Sequence, residues 1–199
     1  MKKVLFPEPV HEAGMKLLEG KVEVVVAPDT TKETILALVE DVHGIVLRTT
    51  AKIDKDIIEK ANDLLVISRT GAGVDNVDVE EATKRGIMVC NLPGANALSV
   101  AEHTVAFILA LAKQLKFMDT STRRGEWKNR NRYEAVDLER KVLGLVGAGK
   151  IGQKVAKMCQ QAFQMKVIAY DPYVGKGGEV KEGIEFKDKI KEVFEEADF

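Results

Sequence analysis

The chain has 199 residues, 45% of them hydrophobic and 31% charged, with a formal net charge of −1 and a pI near 6.4. This is the profile of a globular protein with a real core, and its near-neutral balance gives no reason to expect nucleic acid or an anionic membrane as the main partner. A small anionic ligand needs only a local site. The N-terminus (MKKVLFPEPVHEAG) lacks the long apolar core and small-residue cleavage site of a secretory signal, which with only two, widely separated cysteines points to a reducing, cytoplasmic compartment. The longest apolar run, 105–112, falls far short of the roughly 20 residues that span a bilayer. Cys90 and Cys159 both flank apolar segments and are predicted to be buried small hydrophobes.

From the start, short β-rich runs (4–6, 22–26, 44–47, 64–68 and 88–90) alternate with segments of helical spacing (12–18, 31–40, 56–61 and 79–84). That alternation predicts βαβ units and a flavodoxin-like parallel sheet. The punctuation agrees: Thr30 with Glu33 and Asp78 with Glu81 have capping-box spacing, and Gly20 and Gly86 stand where a left-handed helix terminus belongs. Pro93 and Gly94 then mark a turn, and Ser99 with Glu102 has capping-box spacing at the head of a helix of about 20 residues. This helix is apolar on nearly every side, as expected of one wedged between two domains, and the boundary is placed at its start, giving domains 1–98 and 99–199. A polar, basic stretch carrying the lone Trp127 follows, read as a solvated loop that Trp127 pins to the protein. A second βα series begins at 142, with a helix at 153–161, a strand at 167–171 and a helix exit in EEADF that meets the first residue of a third strand.

The strand 142–146 runs into Gly147-x-Gly149-x-x-Gly152 and a helix. In a dinucleotide site the first glycine permits the tight turn, the second lets backbone N–H groups approach a pyrophosphate, and the third lets helix and strand pack closely. The phosphate then lies at the positive end of the helix. Asp171 closes the next strand about 20 residues on, where a carboxylate accepts from the adenosine ribose hydroxyls and repels a 2′-phosphate, so NAD is favoured over NADP. Two other readings stay open, a plain turn at Asp171-Pro172 and a methyltransferase-type nucleotide loop.

The segment SRTGAGVDNVDVEEATKRGIMVCNLPGANALSVAEHTVAFILAL (68–111), with LGLVGAGKIG and AYDP, resembles the D-isomer-specific 2-hydroxyacid dehydrogenases, nearest to their phosphoglycerate dehydrogenase branch. The resemblance covers nearly the whole chain. It implies that Ala72, Gly73 and Val74 hold the substrate carboxylate through backbone N–H groups, in keeping with a glycine-rich strand-to-helix turn as an anion nest. It implies that Arg48 reaches the substrate's acidic end, a role suited to a guanidinium fork. Thr104 corresponds to a position touching the nicotinamide half, and Lys150 and Ile151 to loop residues at the pyrophosphate. Ala72 stands where phosphoglycerate dehydrogenases often carry Thr, so one hydroxyl near the cofactor is missing.

Each assignment has a plainer counterpart: a surface ion pair for Arg48, a mere connection at Ala72. His103 is read as a packing or capping residue, and His11 and His43 carry no pattern. The basic run Arg123, Arg124, Lys128, Arg130 and Arg132 is read as solvated surface, with a substrate-phosphate or subunit contact as the alternative. No metal site is expected.

Hydride transfer needs a cation to orient the carbonyl and an acid/base group for the hydroxyl proton. In the resembling family these are an Arg and a His paired with a Glu, all of which lie beyond Phe199. A dinucleotide fold has two βαβαβ halves, and only β-α-β-α is expected after residue 142. The chain is therefore expected to be the N-terminal portion of an enzyme of about 300 residues or more, inactive alone. The readings in competition are an NAD-dependent dehydrogenase of a small anionic 2-hydroxy or 2-keto acid, a non-catalytic NAD-binding regulatory or scaffold chain, and a decayed remnant. By family analogy a homodimer, with 99–116 and the basic loop near its interface, or a complementing C-terminal segment is expected.

Overall fold

The computed structural model describes residues 1–174 and 180–199. The chain divides into two compact units, Met1–Ala95 and Asn96–Phe199.

The first unit is a sheet of five parallel strands, β1 (Lys3–Phe6), β2 (Glu23–Val26), β3 (Gly44–Leu47), β4 (Val66–Arg69) and β5 (Met88–Cys90), in the order β2-β1-β3-β4-β5. This is the flavodoxin-like order, with a topological switch between β1 and β3. Between the strands run α1 (Glu12–Leu18), α2 (Lys32–Leu38), α3 (Lys55–Lys60) and α4 (Val79–Lys84). Branched residues Ile35, Ile45, Ile53, Ile57, Ile58 and Ile67, with Leu5 and Leu47, fill one continuous core with α2, α3 and α4 packed in a row. Helix α1 buries none of its residues, and Leu17 on it is 69% exposed.

Local signals set the helix ends. Asp78 accepts from Glu81 N–H as expected, and Gly20 and Gly86 have φ of +71° and +70°, a left-handed conformation that favours glycine. The cap of α2 is Thr31, not Thr30: Asp29 accepts from the Thr31 N–H and hydroxyl, and the Thr31 oxygen in turn caps Thr34.

The second unit opens with α5 (Ala97–Ala112) and α6 (Leu115–Arg123), separated by Gln114 at φ +53° and bent by 61°. The expected helix of about 20 residues is thus a shorter one that starts earlier. Its cap position is Asn96, and the Ser99–Glu102 box does not form because both residues already lie inside the helix. Among the described residues no single helix is long and apolar enough to cross a membrane.

A short 3₁₀ turn, Trp127–Asn131, precedes β6 (Val142–Val146), α7 (Lys150–Phe163), β7 (Lys166–Tyr170), β8 (Val180–Lys181), β9 (Ile184–Phe186) and α8 (Ile190–Glu196). The sheet order is β6-β7-β9-β8, with only β8–β9 antiparallel. Its core joins Leu143, Val155, Cys159, Val167, Ile184 and Phe186, and α5 packs on α7.

Strand β9 corrects the expected β-α-β-α: the third parallel strand lies inside the described residues, beside β7. The C-terminal residues take the opposite edge of β6, where Asp198 N–H donates to Val142 O (2.9 Å) and Gly144 N–H to Phe199 O (2.8 Å). EEADF therefore leads into a fourth parallel position, as the order 3-2-1-4 of a dinucleotide fold requires. The segment IEF escaped notice because three residues flanked by charges carry almost no period-2 signal.

Candidate functional site

In an open parallel sheet, ligands collect beyond the carboxyl ends of the strands. At that edge of the first unit, Glu8 follows β1, Arg48 follows β3, residues 70–76 follow β4 and Asn91 follows β5. The β4 loop is tied to its neighbours: Thr70 N–H donates to Leu47 O (2.9 Å), Leu92 N–H to Gly71 O (2.9 Å) and Asn91 Nδ2 to Ala72 O (2.6 Å). So anchored, it leaves the N–H groups of Ala72, Gly73 and Val74 without an acceptor among the described residues. Three consecutive unpaired donors on a fixed loop are the donor set that an anion-binding concavity needs.

Arg48 is exposed, and its Nη1 donates to Pro9 O at 2.9 Å. Among the described residues it forms no ion pair, so the surface ion pair is not made. Its backbone is gripped by buried Asn76, whose Nδ2 donates to Arg48 O (3.1 Å) and Ala51 O (2.8 Å). Glu8 holds the same loop from the other side, accepting from Thr50 N–H (2.7 Å) and Ala51 N–H (3.2 Å). Burial works to raise the Glu8 pKa, but these N–H bonds and the charge on Arg48 carry it below the ordinary value, so the carboxylate is ionised. Arg48 also borders a groove of about 800 Å³ walled by Phe6, Val10, Leu17, Leu18 and Val46. Those apolar walls offer little to a small dianion, whereas the loop edge that Arg48 and Thr70 share with the groove carries the polar groups one needs.

In the second unit the turn between β6 and α7 is built as the glycine pattern requires. Gly147 has φ +99°, and its N–H donates to Tyr170 O (2.8 Å). A Cβ on Gly152 would stand 2.3 Å from Gly147 O, so strand and helix meet at a distance only glycine allows. Gly149 has nothing within 4 Å of where a Cβ would be. The N–H groups of Gly149, Ile151 and Gly152 have no acceptor among the described residues and lie at the positive end of a 14-residue helix.

Asp171, just past β7, accepts from Ala148 N–H through Oδ2 and from Tyr173 N–H through Oδ1, both at 2.8 Å. The Tyr173 and Ala148 bonds hold its pKa below the usual 3.8. Each carboxylate oxygen retains acceptor capacity for one more donor. A glycine cradle, unpaired N–H groups and an oriented carboxylate are together the donor and acceptor set that a pyrophosphate and an adjoining ribose require.

The other residues singled out in the sequence fall elsewhere. Thr104 is half-buried on α5, and its hydroxyl donates to Val100 O (2.8 Å). Lys150 and Ile151 begin α7, with Ile151 39% exposed. Trp127 is 64% exposed and has no ring partner among the described residues; Tyr133, tilted against Phe117 with ring centroids 4.0 Å apart, tethers that stretch instead. Cys159 is buried, which raises its thiol pKa, whereas Cys90 is exposed, contrary to the expectation for it, because it ends its strand. His103 lies edge-on to Phe107, a packing role, and His11 caps α1 by accepting from Ala13 N–H. No histidine forms an ion pair, and no cluster suited to a metal occurs, among the described residues. Glu8, Asn76 and Asn91 were missed in the sequence. Their signal is positional: each stands one or two residues past a strand or within the glycine-rich loop.

A family model described as D-isomer specific 2-hydroxyacid dehydrogenase, catalytic domain, matches residues 4–186. The chain belongs to this family. It is 45% identical, over all 199 residues, to a D-3-phosphoglycerate dehydrogenase of Methanocaldococcus jannaschii, and spans 38% of that protein's length. Among solved structures it is similar to the TT0316 protein of Thermus thermophilus (TM-score 0.87, 32% identity, 98% of this chain and 62% of that one). It is also similar to a D-lactate dehydrogenase of Aquifex aeolicus complexed with NAD and lactic acid (TM-score 0.84, 26% identity, 99% of this chain and 59% of that one).

Proposed function

We propose that the chain is the N-terminal portion of an NAD-dependent oxidoreductase acting on the CH–OH group of a small D-2-hydroxy acid. The foremost candidate is 3-phosphoglycerate, with hydroxypyruvate or glyoxylate in the reverse direction. In this reading 1–98 belong to a substrate domain and 99–199 to an NAD-binding domain. The observation that carries it is the glycine turn 147–152 closed onto the Asp171 carboxylate. The phosphoglycerate dehydrogenase relative supports the substrate class, and the NAD-bound lactate dehydrogenase supports the cofactor.

When bound, NAD supplies the hydride acceptor. The N–H groups at Gly149, Ile151 and Gly152, with Lys150 at the same turn, hold its pyrophosphate, Asp171 takes the ribose hydroxyls, and Thr104 adjoins the nicotinamide half. Ala72, Gly73 and Val74 fix the substrate carboxylate by backbone N–H groups, and Arg48 neutralises its acidic end. The Arg and the Glu–His pair that orient the carbonyl and move the hydroxyl proton come from the part of the relatives that this chain does not span.

Calorimetric titration of the 199-residue protein with NAD and NADP tests this. NAD binding at least about tenfold tighter than NADP, without turnover of phosphoglycerate, is expected. Failure to bind NAD, or robust hydride transfer by this chain alone, would overturn it.

A further inference from the structure

Glu8 stands two residues past β1, at the sheet edge that the reading above gives to an anion, where a bare carboxylate would repel one. Its partners account for its presence. The N–H groups of Thr50 and Ala51, in the turn that begins with Arg48, both donate to Glu8 Oε1, at 2.7 and 3.2 Å. Ala51 is fully buried, so its backbone groups have no access to water. Its N–H is met by Glu8 and its carbonyl by Asn76 Nδ2, side chains from the turns after β1 and β4, the two neighbours of β3. The residue after Glu8, Pro9, accepts from Arg48 Nη1 through its carbonyl at 2.9 Å. Two consecutive residues of the β1 turn thus hold both the backbone of the β3 turn and the guanidinium it carries.

Consecutive N–H groups at such an edge attract anions wherever they are left open. Here one such set, at 50–51, is filled by a carboxylate of the chain itself, while the set at 72–74 has no acceptor among the described residues. We propose that Glu8 is a positioning residue for the substrate: it closes the donor pair at 50–51, so that the carboxylate of a bound acid goes to 72–74, and with Pro9 it fixes the loop that carries Arg48. This rests on the substrate reading above and adds to it a residue that acts through the β3 turn.

The test is calorimetric titration of the 199-residue protein with 3-phospho-D-glycerate and, separately, with NAD, whose candidate site is in the second unit. Glu8→Ala is expected to weaken phosphoglycerate binding by about tenfold while NAD affinity stays within about twofold. Glu8→Gln, whose amide oxygen accepts the same two bonds, is expected to stay within about threefold of the wild type for both, which separates the filling of the donor pair from the charge. Glu8→Met keeps the length of the side chain without an acceptor and is expected to behave as Glu8→Ala, which covers the case in which the alanine variant fails to fold. Amide hydrogen exchange of the unliganded wild type needs no variant: Thr50 and Ala51 are expected to exchange at least about tenfold more slowly than 72–74. If the alanine and methionine variants bind phosphoglycerate as the wild type does, if Glu8→Gln is as impaired as they are, or if the amides of 50–51 exchange as fast as those of 72–74, the Glu8 proposal falls and the substrate reading stands. If the wild type binds NAD but no phosphoglycerate, the substrate reading itself fails and takes this proposal with it.

Discussion

The Asp171 carboxylate accepts a hydrogen bond from the backbone N–H of Ala148 at 2.8 Å, so the residue just past β7 holds the glycine turn that follows β6. A second bond from Tyr173 N–H fixes the other oxygen. One group thus shapes the glycine turn and, in the NAD reading proposed above, sets a negative charge against a 2′-phosphate. Asp171→Asn keeps an acceptor and removes the charge. NADP affinity is expected to rise toward that of NAD, the two ending within about threefold, while NAD affinity falls about three- to tenfold. Calorimetry with both nucleotides measures this, and an unchanged rejection of NADP by the variant would show that charge at Asp171 is not its cause.

Two glycines of the same turn are expected to respond oppositely. Gly152→Ala drives a methyl group to within 2.3 Å of Gly147 O and forces strand and helix apart, lowering stability by about 1–3 kcal/mol. Gly149 has φ −75° and open space around it, so Gly149→Ala should leave the thermal midpoint within about 1 °C. If a pyrophosphate rests against that open backbone, the same alanine weakens NAD binding by about tenfold or more. A Gly149→Ala protein that is stable and binds NAD normally would remove the pyrophosphate from this position.

The first unit could be read from its alternating segments because each strand is continuous and sets at least one apolar residue on the core, Val25 and Val89 doing so while only partly buried, and because Asp78, Gly20 and Gly86 punctuate the helices with residues whose chemistry is local. The glycine turn was equally legible, since the three glycines and Asp171 each answer a requirement set within a few residues. What escaped depended on distant partners. Strand β9 exists because β7 offers it an edge, and nothing in IEF itself announces a strand. Ser99 and Glu102 have the spacing of a cap, but the turn at 93–96 starts the helix before them. Cys90 looked buried from its apolar neighbours, although as the final residue of β5 it lies at an open sheet edge. The clamp by Asn76 is a fact about loops brought together by strand order, which no single segment encodes.

Asn76 is one of only two buried polar or charged residues among the described residues, and both hydrogens of its amide are used, on Arg48 O and Ala51 O. Asn76→Ala strands two carbonyls at the end of β3 and frees the loop that presents Arg48. A loss of about 2–3 kcal/mol in unfolding free energy is expected, with weaker binding of phosphoglycerate. Asn76→Asp is expected to be worse than Ala, because a carboxylate facing two carbonyl oxygens is repelled by both. Chemical denaturation of the three proteins gives the order directly, and an aspartate variant as stable as the wild type would refute the clamp.

In the second unit Glu185 on β9 is bracketed by Lys166 on β7 (2.8 Å) and Lys187 (2.7 Å), and Lys187 also reaches Glu196 on α8 (2.7 Å). The hydrogen bonds from Lys166 and then Lys187 bring the Glu185 pKa from 4.5 down to about 2. A carboxyl group whose pKa is depressed by folding contributes its full stabilisation above its unfolded pKa, and that contribution is lost as the pH falls through the folded value. The window is therefore pH 4.5 down to about 2. Because the group is one-third exposed, solvent screens the network and the effect is modest. Glu185→Gln is expected to lower the thermal midpoint by about 2–4 °C at pH 7, with the deficit shrinking across that window and vanishing below it. Comparing each protein with its own pH series removes the contribution of the other carboxylates common to both. A deficit that stays constant from pH 7 to below pH 2 would mean that Glu185 acts through packing between β7 and β9, not through its charge.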